Sequence, residues 1–178
     1  MAGLYIHIPF CESRCIYCGF YSTTSLKLRD DYVDALCREM QMRPSKAALG
    51  NDEPIETIYL GGGTPSQLKG SQLNQIFSAI RKNYTLTENI EITMECNPDD
   101  VTGDFCETLK QLPVNRISMG AQTFSNERLH FLHRRHNARE VEEAVDRLRN
   151  IGIRNISIDL MFGFPEESLS QWMSDIRH

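Results

Sequence analysis

Short apolar runs alternate along this chain with longer segments in which apolar residues recur at the spacing of a helix. Runs rich in β-branched and aromatic residues, bounded by Gly, Pro, Asn or Asp, are typical of strands. Five such runs predict strands over residues 4–8, 55–60, 90–95, 116–119 and 156–160. Because the runs alternate with helical patterns, the sequence predicts an α/β fold with a parallel sheet.

Helices are predicted between these strands. Tyr32, Leu36 and Met40 recur at helical spacing. The acidic pair at 30–31 precedes them, and negative charge is favourable at a helix N-terminus. A surface loop rich in Pro, Gly and Asn is predicted to follow over 44–54. A second helix is predicted to carry four apolar residues on one face: Leu73, Ile76, Phe77 and Ile80. Further helices are predicted over 102–112, over 138–149, and from about residue 168 onwards.

Composition limits the class of protein. The chain has 178 residues, 40% apolar and 24% charged, which is enough for a single domain with its own core. No apolar run is long enough to span a membrane, and no signal-peptide pattern precedes the first strand. The net charge of −5 gives no general attraction for nucleic acid, and the basic segment 130–136 is most simply a solvated helix end. We therefore expect a cytoplasmic protein that neither spans a membrane nor binds nucleic acid.

Three cysteines follow the first strand with the spacing C-x3-C-x2-C. Cys11, Cys15 and Cys18 lie in one short loop. Thiolates hold iron–sulfur clusters, and a four-iron cluster usually takes four of them, so three would leave one iron free to bind a small molecule. An open metal position generally indicates chemistry rather than a structural role. The motif therefore favours a [4Fe-4S] cluster with one exchangeable position.

Other uses of the cysteines stay open at this point. His7 lies four residues before Cys11, so a structural zinc held by three cysteines and one histidine is an alternative. A disulfide is disfavoured, because a cytosolic chain keeps its thiols reduced. The remaining cysteines lie in or beside predicted helices and strands, and we expect them to be buried apolar residues: Cys37, Cys96 and Cys106.

A glycine-rich turn follows the second strand. The GGGTP sequence at 61–65 comes directly after that strand, where glycine lets the backbone approach a ligand closely. Neither the GK[ST] ending nor the G-x-G-x-x-G spacing of phosphate-binding loops is present. Taken alone, the sequence predicts either a ligand-binding loop or a simple turn.

Polar residues stand where further strands are predicted to end. Glu95, Gln122 and Asp159 occupy such positions, and Arg134 lies in the basic segment. Parallel sheets bind ligands at the carboxyl ends of their strands. Each residue also has a structural reading, because a carboxylate can cap the next helix and an arginine can pair with it.

Together, these motifs resemble the radical S-adenosylmethionine (SAM) superfamily. The resemblance is carried by ordered blocks through essentially the whole chain: LYIHIPFC, GGGTP, E-x-N-P-D, MGAQTF, L-x-R-x-H and IDLMFGFP. They resemble the branch of the oxygen-independent coproporphyrinogen III oxidases and the HemW-type heme chaperones. The resemblance implies a partial, open (β/α)6 barrel that binds a [4Fe-4S] cluster and SAM. In that superfamily the reduced cluster cleaves SAM to give a 5′-deoxyadenosyl radical.

The resemblance also implies roles for individual residues. Cys11, Cys15 and Cys18 would be the cluster ligands. The implied cofactor-binding residues are Tyr5, against SAM; Gly62, Gly63 and Thr64, beneath the methionyl amine; Glu95 and Arg134, at the amine and the carboxylate; and Gln122 and Asp159, at the ribose hydroxyls. The turn at 161–165 would line the adenine. The chemistry agrees, because a zwitterion needs one acid and one base. Catalytic residues stay unassigned.

The number of βα units is smaller than the resemblance implies. About five units are present instead of six, and the sequence stops inside a predicted helix. We therefore expect residues 1–178 to be a truncated radical SAM core domain, with the sixth βα unit and a C-terminal domain outside this sequence.

Within the branch, Phe20 favours the chaperones. The oxidases resemble C-x3-C-x2-C-x-C, and Phe20 stands where their further cysteine would be. The chain also starts at its first strand, without the extension expected of the oxidase. The sequence therefore predicts a heme chaperone that carries heme as cargo to acceptor hemoproteins. The alternatives are an oxidoreductase of the coproporphyrinogen III dehydrogenase type, which decarboxylates two propionate groups, and a zinc-stabilised binding module.

Overall fold

The fold is built on one parallel sheet. The computed structural model describes residues 2–44 and 53–178. Within them, five strands lie side by side in chain order, each parallel to the next. The strands are β1 (Ala2–Ile8), β2 (Ile55–Gly62), β3 (Leu86–Cys96), β4 (Arg116–Gln122) and β5 (Asn155–Leu160). The predicted α/β class is confirmed, and the sequential strand order is that of an open, partial barrel.

Helices connect the strands. They are α1 (Arg29–Met42), α2 (Gly70–Asn83), α3 (Gly103–Lys110), α4 (Asn126–Phe131), α5 (Ala138–Asn150) and α6 (Leu169–Arg177). Two of them begin with a capping box, in which two side chains satisfy free N–H groups of the first turn: Asn137 with Glu140, and Ser168 with Gln171. Most of the loop predicted over 44–54 lies outside the described residues.

Strand β2 runs two residues beyond its predicted end. Gly61 and Gly62 pair in register with His7 and Ile8 of β1. Glycine has a low strand propensity because it has no side chain to pack, but its backbone still makes ladder hydrogen bonds. Pairing with a neighbouring strand therefore extends β2 past the point that local propensity indicates.

The sequence analysis did not predict the short helix α4. It has six residues, so no apolar periodicity marks it. The hydroxyl of Ser125 caps it by accepting a hydrogen bond from the N–H of Arg128 at 3.4 Å. This cap residue is the sequence signal that could have located the helix.

The two faces of the sheet differ in polarity. Side chains alternate along a strand, so Ile6 and Ile8 are buried in the core while Tyr5 and His7 point to the opposite, inner face. Strand register places further polar residues on this inner face: Tyr59, Glu95, Ser118 and Asp159. In closed eight-stranded barrels the inner face is filled by bulky aliphatic side chains. Here it is polar, which leaves it available to a ligand.

The core lies between the outer face of the sheet and the helices. The predicted apolar face of α2 is buried: Leu73, Ile76, Phe77 and Ile80. Cys37, Cys96 and Cys106 are also buried, as predicted. In the part of the chain that the structure describes, no helix has the length and apolar character needed to cross a membrane.

Candidate cofactor-binding site

A pocket opens at the carboxyl ends of the strands. It has a volume of about 280 Å³ and is lined by the loop after β1 and by the ends of the other four strands. Its wall contains ten of the eleven residues that the sequence singles out: Cys11, Cys15, Cys18, Gly62, Gly63, Thr64, Glu95, Gln122, Arg134 and Asp159. Tyr5 lies outside the wall. The structure thus gathers residues that are distant in sequence at the edge where parallel sheets bind ligands.

The cysteine loop is closed at its base and tied to the basic segment. The N–H of Thr23 donates to the carbonyl of Pro9 at 2.7 Å, and the N–H of Cys11 donates to the carbonyl of Thr23 at 3.0 Å. Further along the loop, the N–H of Ile16 donates to the carbonyl of Leu132 at 3.3 Å. These backbone bonds hold the loop over the strand ends.

The three thiols are close enough to affect one another's charge. Burial raises the pKa of the Cys11 thiol, and the negative charges of Cys18 and Cys15 add to this rise. The hydroxyl of Thr64 donates to Cys11 Sγ at 3.6 Å. This hydrogen bond offsets part of the rise in the pKa of Cys11. Gathering three thiolates is unfavourable unless a positive centre binds them, which is the charge that iron supplies.

His7 is not placed to be a fourth ligand. Its Nδ1 is bonded to the hydroxyl of Tyr5 at 3.0 Å, and its Nε2 is bonded to the carbonyl of Tyr21 at 2.9 Å. Both ring nitrogens are therefore engaged. Among residues 2–44 and 53–178, no group of three or more His, Cys, Asp or Glu residues is assembled around a position for a single metal ion.

The glycine-rich turn packs against the backbone that leads into the cysteine loop. The N–H of Gly63 donates to the carbonyl of Ile8 at 2.8 Å, and the N–H of Thr64 donates to the carbonyl of Phe10 at 2.7 Å. A Cβ on Gly63 would lie 2.7 Å from the carbonyl oxygen of Ile8. Gly62 has a φ of 109°, which residues with a side chain rarely adopt. Glycine is therefore needed here to join two binding loops.

Glu95 is held in place by two hydrogen bonds. Its carboxylate accepts from the N–H of Gly62 at 3.0 Å and from the hydroxyl of Tyr59 at 2.7 Å. Burial and this carboxylate raise the pKa of Tyr59 to about 12. A carboxylate has about four acceptor positions, so Glu95 can still accept from a cationic ligand.

Arg134 is held by contacts with the protein. Its Nη2 donates to the side-chain oxygen of Asn97 at 2.7 Å and to the carbonyl of Gly120 at 2.6 Å, and its Nη1 lies 3.5 Å from Cys15 Sγ. Its Nε is buried and has no partner among the described residues. A buried donor without an acceptor is costly, so this nitrogen fits a ligand oxygen.

Gln122 and Asp159 form the far side of the pocket. Gln122 has a φ of 69°, in the left-handed region. A Cβ on Gly120 would lie 2.6 Å from Gln122 Nε2, so the absence of a side chain at residue 120 leaves room for this amide. The hydroxyl of Ser118 lies 3.3 Å from a carboxylate oxygen of Asp159. This side of the pocket therefore offers an amide and an anionic acceptor.

Tyr5 is connected to the pocket indirectly. It is 58% exposed, and its ring stacks on Tyr59 with a centroid separation of 6.1 Å. Sequence reasoning missed the supporting residues Tyr59, Asn97 and Ser118, although Asn97 stands inside the E-x-N-P-D block. Asn97 directly follows β3, and that strand-end position was the available signal, whereas Tyr59 and Ser118 lie within their strands.

The basic segment 130–136 is only partly solvated. His133 is exposed, but His136 is 3% exposed. Arg135 pairs with Asp100 at 2.8 Å at the rim of the pocket. The expectation that this segment is simply a solvated helix end is therefore only partly met.

Comparison with known families defines the class of protein. The model of the Radical SAM superfamily matches residues 5–178. This chain therefore belongs to the radical SAM superfamily.

Among curated relatives, the chain is similar to proteins named heme chaperone HemW. The HemW of Escherichia coli (strain K12) is 38% identical over 178 residues, covering 98% of this chain and 46% of that protein. The HemW of Bacillus subtilis (strain 168) is 40% identical over 172 residues, covering 95% of this chain and 44% of that protein. The chain thus spans about half the length of these curated relatives.

Among solved structures, the chain resembles the coproporphyrinogen III oxidase (HemN) from Escherichia coli, a radical SAM enzyme. The TM-score is 0.88 at 29% identity, and the match covers 99% of this chain and 40% of that chain. The partial radical SAM barrel expected from the sequence is confirmed by this likeness.

Membership of the superfamily implies a [4Fe-4S] cluster and SAM. The residues of the pocket fit both groups, because three thiols share its wall and the buried Nε of Arg134 lacks an acceptor. Three acidic and three basic side chains line the wall: Glu95, Asp99, Asp159, Arg14, Arg134 and Arg135. This balance suits a zwitterion. When bound, the cluster supplies SAM with an electron.

Proposed function

We propose that this chain is the cluster- and SAM-binding part of a heme chaperone, which binds heme and passes it to acceptor hemoproteins. Phe20 carries the proposal. It lies in the pocket wall with the three cysteines and is 64% exposed. An exposed aromatic ring favours contact with an apolar macrocycle. The relatives named heme chaperone, at 38% and 40% identity, support the same reading.

Within this proposal the thiolates of the cysteine loop hold the cluster, and SAM lies across the strand ends. The ligands of the cluster are Cys11, Cys15 and Cys18. Glu95 receives the amine of SAM beside the backbone of Gly62, Gly63 and Thr64, and Arg134 receives its carboxylate through the free Nε. The planar guanidinium is suited to this role, because its Nη groups can stay on Asn97 and Gly120 while Nε makes a charge-assisted hydrogen bond to the carboxylate.

The nucleoside end of SAM is assigned to the other side of the pocket. Gln122 and Asp159 bind the ribose hydroxyls, and the turn at 161–165 lines the adenine. Tyr5 supports the site from outside the wall, since its ring stacks on Tyr59 and the hydroxyl of Tyr59 donates to Glu95.

The second candidate function is oxidative decarboxylation of coproporphyrinogen III. The observation in its favour is the structural likeness to the Escherichia coli oxidase, with a TM-score of 0.88. Against it stands Phe20, which places an apolar ring where the oxidase pattern has a further cysteine. If the oxidase depends on that polar group, porphyrinogen turnover by this protein should be negligible.

The test uses the whole protein, reconstituted with iron and sulfide under anaerobic conditions. Iron and sulfide analysis first separates a cluster protein from a zinc-bound module. The loaded protein is then titrated with heme and, in parallel, supplied with SAM, an electron donor and coproporphyrinogen III. Stoichiometric heme binding without protoporphyrinogen formation supports the chaperone. Steady turnover over many cycles would reject it and favour the oxidase.

We also propose a cytoplasmic location. None of the six cysteines is joined in a disulfide, and cysteines stay reduced in the cytosol. Cell fractionation with an antibody against the protein would test this, and recovery from an oxidising compartment would contradict it.

A further inference from the structure

Gln122 has a backbone conformation that a glutamine rarely adopts. Its φ of 69° lies in the left-handed region, which is strained for residues with a Cβ. Its carbonyl accepts a hydrogen bond from the N–H of Met161 at 2.8 Å. Strain of this kind persists only where the surrounding structure fixes it. The contacts next to Gln122 therefore decide where its side chain points.

The two residues that follow Gln122 are held by Asp175 on α6. Asp175 Oδ2 accepts from the hydroxyl of Thr123 at 2.6 Å, and Oδ1 accepts from the N–H of Phe124 at 3.1 Å. Thr123 is 0% exposed and Asp175 is 6% exposed. One buried carboxylate thus fixes the backbone directly after the strained residue.

Arg128 and Glu167 complete a buried charged cluster. Nη1 of Arg128 lies 3.8 Å from Asp175 Oδ2 and 2.7 Å from Glu167 Oε1. The other carboxylate oxygen of Glu167 accepts from the N–H of Gly163, in the loop after β5, at 2.6 Å. Arg128 therefore balances the two carboxylates that hold the segment after Gln122 and the loop after β5.

We infer that Thr123 and Asp175 are positioning residues for the nucleoside end of the SAM site. They act through Gln122, whose side chain lines the pocket, and the inference rests on the proposed function, which places Gln122 at the ribose. Thr123 and Asp175 are not part of the pocket wall. They hold the amide in place before a ligand arrives, which reduces the entropy lost on binding.

The test measures SAM binding to the whole, cluster-loaded protein. Thr123→Val removes the hydroxyl and keeps the shape, and it should weaken SAM binding on the order of tenfold. Thr123→Ser keeps the hydroxyl and should bind like the wild type. Thr93→Val is the matched control, because Thr93 is 1% exposed and lies outside the pocket wall. Its SAM affinity should not change.

A double-mutant cycle separates positioning from general stability. In a Gln122→Ala background, Thr123→Val should have little further effect, because the residue through which it acts is gone. If the losses of SAM binding free energy in the two single variants add up in the double variant, the inference is overturned. If Thr123→Val folds poorly, the same measurements are made with Asp175→Asn, which keeps the volume of the side chain.

Amide hydrogen exchange tests the inference without SAM. The Met161 amide bonded to Gln122 should exchange faster in Thr123→Val than in Thr93→Val. Equal protection in the two variants would overturn the positioning role. If the wild type carries a cluster but does not bind SAM, the proposed function fails, and exchange at Met161 still decides whether Thr123 positions Gln122.

Discussion

The guanidinium of Arg134 contacts the thiol of Cys15, with Nη1 3.5 Å from Sγ across 119 residues of sequence. The contact joins the residue proposed for the SAM carboxylate to a residue proposed for the cluster. Asn97 and Gly120 also hold this guanidinium by hydrogen bonds. One arginine can therefore set the relative position of the two cofactors.

Arg134→Ala is expected to weaken SAM binding by about 2–4 kcal/mol, since it leaves a desolvated carboxylate without its partner. Iron content should stay at the wild-type level. Arg134→Lys should recover only part of the affinity, because an ammonium lacks the planar set of donors. Arg139→Ala is the control, because that side chain is 84% exposed on α5. Wild-type SAM affinity in Arg134→Ala would contradict the assignment.

Replacing any one of Cys11, Cys15 or Cys18 by Ala is expected to abolish the cluster. Iron and sulfide analysis and the visible absorption spectrum after anaerobic reconstitution measure the loss. Cys37→Ala is the matched control, because Cys37 is buried on α1 and does not line the pocket. It should keep close to four irons per chain, the number in one [4Fe-4S] cluster. A cluster that survives Cys15→Ala would show that the ligands are assigned wrongly.

The sequence could predict which strand-end residues lie together, because the fold follows a simple rule. Polar residues at the ends of predicted parallel strands share one edge of the sheet, so Glu95, Gln122 and Asp159 could be expected to meet. Closely spaced cysteines are likewise visible without a structure. The strand-end residues and the cysteine spacing can each be recognised from a short stretch of sequence, and such short patterns are visible in a single sequence.

The supporting contacts could not be predicted, because they join residues far apart in the chain. Nothing near Thr123 indicates that its hydroxyl meets Asp175, which lies 52 residues later. The left-handed φ of Gln122 is also invisible, since no glycine marks it. The end of β2 at Gly62 was missed for the same reason, because pairing with β1 decides it.

Gly63→Ala is expected to lower the free energy of unfolding by about 1–3 kcal/mol, the usual cost of forcing extra volume into a packed site. The new Cβ would lie 2.7 Å from the carbonyl oxygen of Ile8 and 2.9 Å from that of Phe10, and backbone atoms cannot move aside cheaply. Urea denaturation measures the change.

Gly103→Ala is the control for this substitution. Apart from its chain neighbours and the backbone of its own helix, no atom of the described residues lies within 4 Å of a Cβ at Gly103, which begins helix α3. Alanine is favourable in a helix, so this variant should be neutral or slightly more stable. Equal destabilisation by the two substitutions would show that close packing at the glycine-rich turn is not the cause.

His136 is a buried histidine beside the site. It is 3% exposed, and its Nε2 lies 3.2 Å from the carbonyl oxygen of Ala121. Burial, followed by the positive charge of Arg134, lowers the pKa of His136 to about 4. The folded protein therefore keeps this imidazole neutral in a pH range in which the unfolded chain protonates it.

The pKa of His136 is lower in the folded protein than in the unfolded chain. Between about pH 6.5 and pH 4, the unfolded chain therefore carries a proton on His136 that the folded protein does not, and lowering the pH in this range favours unfolding. From pH 8 to pH 5 this residue should remove about 2 kcal/mol from the free energy of unfolding. His136→Gln, which can still donate to Ala121 but does not titrate, should lose this part of the pH dependence. Urea denaturation at pH 8, 6.5 and 5 measures both proteins. A difference between them that stays constant with pH would contradict the lowered pKa.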